Sequence, residues 1–296
     1  MAAGPANGGW ETVGKRRAKR REAGGRTAER PSVCEGDKVR HRLQETVEEL
    51  RSSEFWAICR ESVQRAVNKY RTTPKAPASS CSPDVGAAKV LEDQKDDIDL
   101  CQTTLDLVCY GIGNFSDSVA SRYQLALLFL LLETLQIPQV SCLLFDPLFT
   151  EWEKSFLKDC GMVVITENEE GKRPINRPTL FYMVHCGKAL YNNLLWRNWS
   201  PQQLAQTILI GNSFKGIEER SPARILQRDY TYISSILAVT EEAAFPDSNR
   251  YLDVFNDTSI HQFPREKLDA KPKEFWEGAA EPMYQQCEDL EIIQNG

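Results

Sequence analysis

From about residue 100 onward, apolar runs of strand length alternate with stretches of helical periodicity. The predicted strands are "TLDLVCY" (104–110), "VSCLLFD" (140–146), "MVVITE" (162–167), "TLFYMVH" (179–185) and "TILIGN" (207–212). The predicted helices between them cover residues 117–136, 148–160 and 188–199. Strands that are apolar throughout and alternate with helices indicate a mostly parallel sheet that is covered on both faces. The predicted fold class is therefore α/β, with a Rossmann-like, doubly wound sheet.

The sequence leaves the direction of one strand in this sheet undecided. Only eleven residues, "NEEGKRPINRP", join the third and fourth predicted strands, whereas a parallel crossover usually needs a dozen or more. Either this connection is unusually lean, or one of the strands within residues 162–185 runs antiparallel. The later stretch "TSIHQF" (258–263) is predicted as an edge strand.

The α/β domain is predicted to span residues 96–268, with four further segments around it. We expect a disordered basic tail over 1–37, a helical arm over 38–71, a linker over 72–95 and a disordered acidic tail over 269–296. The basic tail contains "KRRAKRR" at 15–21, with six basic residues in seven. We interpret this run as part of a solvated tail. The alternative is a nuclear-import signal or an arm that contacts nucleic acid.

Charge and cysteine usage limit the partners and the compartment. The net charge of −6 provides no general basic field, so a nucleic-acid partner is not expected. The most apolar run, "LALLFLLL" (125–132), is far shorter than the ~20 residues that span a bilayer, so it predicts a buried helix and no membrane insertion. Nine scattered cysteines without a Cys-x-x-Cys pair indicate reduced thiols. We therefore expect the protein in the cytoplasm, with the nucleus as a second location.

Small and polar residues stand at the carboxyl ends of four predicted strands, which is where open α/β sheets bind ligands. Loops at strand ends are polar in any case, so each residue taken alone is weak evidence. Together they predict a polar, ligand-binding cleft at one edge of the sheet. The candidate residues are Gly111, Gly113, Asn114, Asp146, His185, Cys186, Asn212 and Ser213.

The Gly111-Ile-Gly113 turn matches known nucleotide fingerprints only in part. In a dinucleotide site a third glycine packs the helix closely on the strand, but Ser116 stands there. Asp117 follows in the first helical turn, where its charge would repel a pyrophosphate. S-adenosylmethionine has no phosphate, and Asp146 at the end of the second strand would suit its ribose hydroxyls. Cys109, however, stands where methyltransferases usually carry an acid.

The adjacent pair His185-Cys186 invites a nucleophile–base interpretation. Neighbouring residues of a strand point to opposite faces, so the two form no simple dyad unless the strand has already ended. Cys186 is better interpreted as a small packed hydrophobe. His185 could serve as a general base, as a metal or haem ligand, or as a hydrogen-bonded polar residue. Because the chain has only three histidines, a multi-histidine metal site is not expected.

With these residues in view, the chain resembles the Sensitivity-to-Red-Light-Reduced (SRR-like) domain family, and the animal members in particular. The resemblance covers roughly residues 95–265, and Val184 stands where many relatives have a proline before the His-Cys pair. The motifs that carry it are "YGIGNFSDS", "FDPLFTEWEKSFLKDCG", "FYMVHCGKALYNNLLWRNW", "ILIGNSF" and "FNDTSIHQFP".

The resemblance implies a regulatory protein that acts in circadian clock-gene expression and in haem biosynthesis, rather than an established catalyst. Protein partners are expected, together with a small ligand that is nucleotide-like or haem; no cofactor is assigned. The alternative is an S-adenosylmethionine-dependent methyltransferase-like enzyme. The residues themselves do not name the ligand.

Overall fold

The computed structural model describes residues 33–72 and 105–284. The "KRRAKRR" run, nearly all of the predicted linker and the end of the predicted acidic tail lie outside these residues. The helices are α1 (Val33–Arg51), α2 (Glu54–Thr72), α3 (Val119–Leu135), α4 (Glu151–Asp159), α5 (Lys188–Arg197), α6 (Pro201–Leu204), α7 (Phe214–Arg220), α8 (Ala223–Asp229), α9 (Thr231–Ile236), α10 (Leu252–Phe255) and α11 (Arg265–Asp269). The strands are β1 (Asp106–Tyr110), β2 (Cys142–Phe145), β3 (Val163–Val164), β4 (Thr179–Met183), β5 (Thr207–Asn212), β6 (Glu241–Ala244) and β7 (Thr258–Gln262).

The strands form one seven-stranded sheet in the order β3-β2-β1-β4-β5-β7-β6. The first five of these strands are mutually parallel, and β7 is antiparallel to both of its neighbours. The chain reverses its direction of strand addition between β1 and β4, which is the switch point of a Rossmann sheet. The predicted α/β, mostly parallel and Rossmann-like fold is confirmed.

Of the two alternatives for the connection between β3 and β4, the structure has the short connection between parallel strands. Strand β3 is only two residues long and pairs in parallel with β2 alone, through Leu143 opposite Val163. The chain then passes back beneath the sheet through residues 165–178 without a helix and enters β4, which is parallel to β1.

The edge-strand prediction for residues 258–263 is wrong. Strand β7 lies inside the sheet, hydrogen-bonded to β5 on one side and to β6 on the other. The true edge strand, β6, has the sequence "EEAA" and was missed, because two acids followed by two alanines carry neither the apolar run nor the alternation of a predicted strand.

Helices cover both faces of the sheet, as apolar strands require. Successive residues of β1 point to opposite faces: Leu107 packs under α1–α4, and Val108 packs under α5–α9. Helix α3 provides the centre of the first layer, because seven of the eight residues of its apolar run 125–132 are buried. Ser118 caps this helix by accepting a hydrogen bond from the Ser121 amide.

The first part of the predicted acidic tail is packed on the domain. The Trp199 indole donates to the carbonyl oxygen of Phe275 at 3.0 Å. Tyr284 is 5 % exposed, and its hydroxyl lies 2.8 Å from Asn193 Oδ1 and 3.2 Å from the Ala189 carbonyl oxygen. Residues 270–284 therefore extend the ordered domain, because their aromatic side chains find partners on α5 and at Trp199 that their acidic composition does not reveal.

Candidate functional site

The eight candidate residues lie at one edge of the sheet, as the parallel strands require. Gly111, Gly113 and Asn114 follow β1, Asp146 follows β2, His185 and Cys186 follow β4, and Asn212 and Ser213 end β5. The structure brings them together in smaller groups, each joined by its own hydrogen bonds.

The glycines after β1 are required by close contacts and by backbone conformation. Gly111 and Gly113 have φ angles of +77° and +79°, which favour glycine. A Cβ atom at Gly111 would lie 2.5 Å from Cys186 Sγ. The Cys186 thiol donates to the Tyr110 carbonyl oxygen at 3.3 Å, so the turn after β1 and the turn after β4 are in direct contact.

Asp146 braces two neighbouring turns. Its Oδ2 accepts from the Gly113 amide, and its Oδ1 accepts from the Leu148 amide, each at 2.7 Å. The residue is 7 % exposed. Burial raises the pKa of Asp146, while the two backbone hydrogen bonds act in the opposite direction. The Gly113 amide, which would face a phosphate in a dinucleotide site, is therefore already paired with a carboxylate.

Asn114 has a local role. Its Oδ1 accepts from the Asp117 amide at 3.0 Å, which closes a small turn before α3. The Ser116 amide and hydroxyl both donate to Glu153 Oε1, at 2.9 and 3.0 Å. Ser116, which occupies the place of a third fingerprint glycine, thus joins this turn to Glu153, which forms a capping box with Thr150 at the start of α4.

The turn after β4 is held by the end of β5. The His185 amide donates to Asn212 Oδ1 at 2.8 Å, and Asn212 Nδ2 donates to the Cys186 carbonyl oxygen at 3.0 Å. Tyr191, fully buried on α5, accepts from the Asn212 amide at 2.9 Å and donates to the Met183 carbonyl oxygen. Asn212 therefore holds the first turn after β4 through both atoms of its side-chain amide.

His185 is exposed and has a φ angle of +56°, a conformation that is uncommon outside glycine. Its Nε2 lies 3.1 Å from the Asn256 carbonyl oxygen, which can only accept, so Nε2 carries the proton of this hydrogen bond. The His185 ring is thus hydrogen-bonded to a backbone carbonyl, while the Asp146 carboxylate is hydrogen-bonded to the amides of Gly113 and Leu148.

A polar cluster that the sequence did not predict lies beside Ser213. The Ser213 hydroxyl caps α7 by accepting from the Gly216 amide at 2.9 Å, and it donates to Glu242 Oε1 at 2.5 Å. Glu242 Oε2 lies 3.2 Å from the Lys215 amide and 3.6 Å from His261 Nε2. Glu242 is on β6 and His261 on β7, so only the hairpin of these antiparallel strands brings the two together.

The two ionisable members of this cluster have shifted pKa values. Burial acts to raise the pKa of Glu242, but hydrogen bonds from Ser213 and the Lys215 amide, with the nearby His261, hold it below its ordinary value. Burial lowers the pKa of His261 to about 4, against the attraction of Glu242. His261 is therefore neutral at neutral pH: its Nδ1 lies 3.1 Å from the Leu209 carbonyl oxygen, and its Nε2 accepts from the Phe214 amide at 3.3 Å.

A cavity of about 370 Å³ opens beside this cluster, a size typical of ligand pockets. We call it the strand-end cavity. Its walls come from α2 at Phe55, from α7, from residues 244–248 and from residues 251–259. Of the eight predicted residues, Ser213 lines it. It lies at the carboxyl ends of β5 and β6, beside the predicted cleft between Gly113, Asp146 and His185.

The hydrogen bonds of this cluster limit the chemistry that its groups can perform. The Ser213 hydroxyl faces a carboxylate rather than an imidazole, and His261 Nε2 already accepts a backbone proton, so the cluster lacks the nucleophile–base contact of acyl-transfer sites. Within residues 33–72 and 105–284, no group of three or more His, Cys, Asp or Glu side chains is arranged to hold a metal ion. In the same part of the chain, no helix is long and apolar enough to cross a membrane.

Three asparagines of the "LYNNLLWRNW" motif, which carried part of the resemblance, have structural roles. Asn192 accepts from the amides of Tyr232 and Ile233. Asn193 donates to the Glu170 carbonyl oxygen, and Asn198 accepts from the Ile175 amide and donates to the Arg173 carbonyl oxygen. These side chains, each at most 1 % exposed, hold the helix-free connection before β4 and the start of α9.

Comparison with known proteins gives the family. The family model of the SRR1 domain matches residues 91–262. An SRR1-like protein of Mus musculus is 38 % identical over 232 residues, which cover 77 % of this chain and 93 % of that protein. Protein SENSITIVITY TO RED LIGHT REDUCED 1 of Arabidopsis thaliana is 34 % identical over 164 residues, covering 55 % of this chain and 60 % of that protein. An SRR1-like protein of Drosophila melanogaster is 34 % identical over 171 residues, covering 57 % of this chain and 59 % of that protein.

The match therefore spans nearly the whole mouse relative and about three fifths of the plant and fly relatives. No solved structure gives a significant match. The family model covers more than half of the chain, and the mouse relative supports the same assignment. This chain therefore belongs to the SRR1 domain family, a family of regulatory proteins.

Proposed function

We propose that this protein regulates circadian clock-gene expression and haem biosynthesis, and that it does so by binding a ligand or partner protein in the strand-end cavity. Membership of the SRR1 domain family supports a regulatory role, and the name of the Arabidopsis relative refers to sensitivity to red light. The cavity is the observation that carries the binding part of the proposal. It lies at the carboxyl ends of the strands, where α/β sheets bind ligands.

The test fills the cavity without removing any of its hydrogen bonds. Ala244 lines the cavity and Ala243 does not, although both are exposed residues of the edge strand β6. Because side chains alternate along a strand, Ala243 points to the opposite face. Ala244→Trp should therefore obstruct the cavity, and Ala243→Trp is the matched control for an added indole on the same strand.

Cells that lack the protein would be complemented with the native chain or with either variant. The readouts are the rhythm of a clock-gene reporter and the cellular haem content. We expect the native chain and Ala243→Trp to restore both readouts, and Ala244→Trp, at equal protein level, to restore neither. If Ala244→Trp complements the cells as well as the native chain does, the cavity is not the binding site through which the protein acts. Normal rhythm and normal haem in the uncomplemented cells would contradict the regulatory roles themselves.

A second candidate function, an S-adenosylmethionine-dependent methyltransferase, is favoured by the position of Asp146 directly after β2, where an acid would face the ribose hydroxyls of that ligand. Asp146 fits the ribose in part, since each of its oxygens accepts one backbone hydrogen bond and retains a second acceptor position. Cys109 does not fit the usual acid, because it is a buried thiol whose pKa is raised by burial.

Titration calorimetry with S-adenosylmethionine separates the two functions. The methyltransferase function predicts binding that is weakened at least tenfold by Asp146→Ala, because a ribose contact would be lost. If millimolar S-adenosylmethionine gives no heat of binding, the methyltransferase function is excluded. Absorption titration with haem tests the other small ligand in the same way, with His185→Ala as the variant, because the exposed imidazole of His185 is the candidate iron ligand at this edge.

A further inference from the structure

The strand-end cavity has an aromatic wall. Phe55 of α2 packs against three rings from the segment that leads into β7: its centroid lies 6.1 Å from Phe245, 5.1 Å from Tyr251 and 5.2 Å from Phe255. All four rings line the cavity. Aromatic faces attract cations, and lysine and arginine also have apolar stems that pack on such rings.

The charged lining of the cavity is acidic. The carboxylates of Glu219, Glu242, Asp247 and Asp257 line it, against the two cations Lys215 and Arg220. Arg220 is engaged by Asp257 through two guanidinium nitrogens. The Glu242 side chain is only 6 % exposed, and its pKa lies below the ordinary value, so the wall carries a fixed negative charge.

One further group in the wall is incompletely satisfied. Tyr251 is 3 % exposed, and its hydroxyl has no hydrogen-bond partner among the described residues. A buried hydroxyl without a partner costs about 1–3 kcal/mol.

We propose that the strand-end cavity binds a basic side chain from this protein's own residues 15–21, the "KRRAKRR" run. This inference rests on the proposed function, because it names the ligand of the same cavity. The run supplies six basic residues in seven, and the cavity supplies the aromatic and acidic groups that such side chains prefer.

The covalent chain is long enough for this contact. Helix α1 has 19 residues and is therefore about 28 Å long. Its carboxyl end lies beside the cavity, because Phe55, four residues after the end of the helix, lines the cavity. In addition, Glu49 in the last turn of α1 pairs with Arg250 at 2.7 Å. From Arg21 to Val33 the chain spans up to about 40 Å when extended, which exceeds the length of α1.

Tethering makes even a weak contact effective. A short flexible connection gives an effective concentration of about 1 mM. If a free peptide with this sequence binds with a Kd of about 100 μM, the tethered run would occupy roughly nine cavities in ten. It would also raise the apparent Kd of an added peptide about tenfold.

The first experiment locates the contact in the full chain. A carbodiimide joins a lysine amine to a carboxylate as an amide, with loss of water, only where the two lie within contact distance. Mass spectrometry should find Lys15 or Lys19 joined to Asp247 or Glu219. The product should be lost in 0.5 M salt, because screening weakens the approach of these exposed charges.

The second experiment measures competition by calorimetry with a synthetic peptide of residues 10–26. It uses the native chain and an arm-neutral chain that carries Lys15→Gln, Arg16→Gln, Arg17→Gln, Lys19→Gln, Arg20→Gln and Arg21→Gln. The arm-neutral chain should bind the peptide about tenfold more tightly than the native chain. Adding Ala244→Trp to the arm-neutral chain should abolish binding, and adding Ala243→Trp should not.

Equal affinity of the native and arm-neutral chains would overturn the proposal, as would binding that survives Ala244→Trp or the absence of binding by the arm-neutral chain. These outcomes are distinct from failure of the proposed function. If the peptide does not bind but Ala244→Trp still fails to complement cells, the cavity retains its function with another ligand. If the peptide binds and Ala244→Trp complements fully, the intramolecular contact holds and the proposed function of the cavity falls.

Discussion

Gly111→Ala and Cys186→Ala should each destabilise the protein, and the two together should cost less than their sum. A Cβ atom at Gly111 would lie 2.5 Å from Cys186 Sγ, and the next atom of Cys186, its Cβ, is 4.0 Å away. The clash therefore involves the sulfur alone. Deleting Sγ in Cys186→Ala leaves ordinary van der Waals space for the methyl group at residue 111.

The magnitudes follow from two separate costs. Gly111 has φ +77°, so alanine there costs about 1–2 kcal/mol in backbone strain. Overpacking against Sγ adds about 1–3 kcal/mol. Cys186→Ala alone removes one buried atom and costs about 1 kcal/mol. In the double variant the overpacking cost disappears, so the coupling free energy between the two changes should be about 1–3 kcal/mol in the stabilising direction.

The assay is equilibrium unfolding in urea, followed by tryptophan fluorescence and extrapolated to water. Gly113→Ala is the matched control, because Gly113 has a similar φ of +79° and its Cβ would approach Ser121 Oγ rather than Cys186. Gly113→Ala with Cys186→Ala should be additive within about 0.5 kcal/mol. Additivity of the Gly111 and Cys186 changes within the same margin would refute the contact between the two turns.

Two further predictions concern buried polar groups. Asn198→Ala should lower the free energy of unfolding by about 2–4 kcal/mol, because it leaves the Ile175 amide and the carbonyl oxygens of Arg173 and Leu194 without this partner. Urea unfolding would measure the loss. An effect no larger than that of Asn249→Ala, a change at an exposed asparagine, would contradict the prediction. His261 should make stability pH-dependent, because its pKa of about 4 in the folded state is below the pKa of roughly 6.5 of a histidine in the unfolded chain. As the pH decreases, the unfolded chain takes up a proton first. The free energy of unfolding should therefore fall between about pH 6.5 and pH 4, by at most about 3 kcal/mol. In His261→Gln, urea midpoints measured across this window should show a shallower dependence on pH, and an unchanged slope would assign the titration to other groups.

Much of the fold could be predicted from the sequence because apolar periodicity is a local property. The alternation of β1, α3, β2 and α4 indicated a parallel sheet with helices on both faces, and the bounds of β5 agree with the predicted ones. Gly111, Asp146, His185 and Asn212 were expected at one edge because the carboxyl ends of parallel strands meet there. Their particular partners were beyond prediction, since the Asp146 carboxylate finds the Gly113 amide only through the register of β1 against β2.

The sequence by itself determined the α/β class, the family resemblance and the edge at which polar residues collect, because each depends on short-range pattern and on strand direction. The tertiary structure alone decided how those residues are used. Asp146, Cys186 and Asn212 hold turns together, while the strand-end cavity forms where β6 and β7 return antiparallel beside β5. Glu242 and His261 are 19 positions apart in the chain and meet only across that hairpin. A contact of this kind depends on long-range strand pairing, which no local pattern encodes.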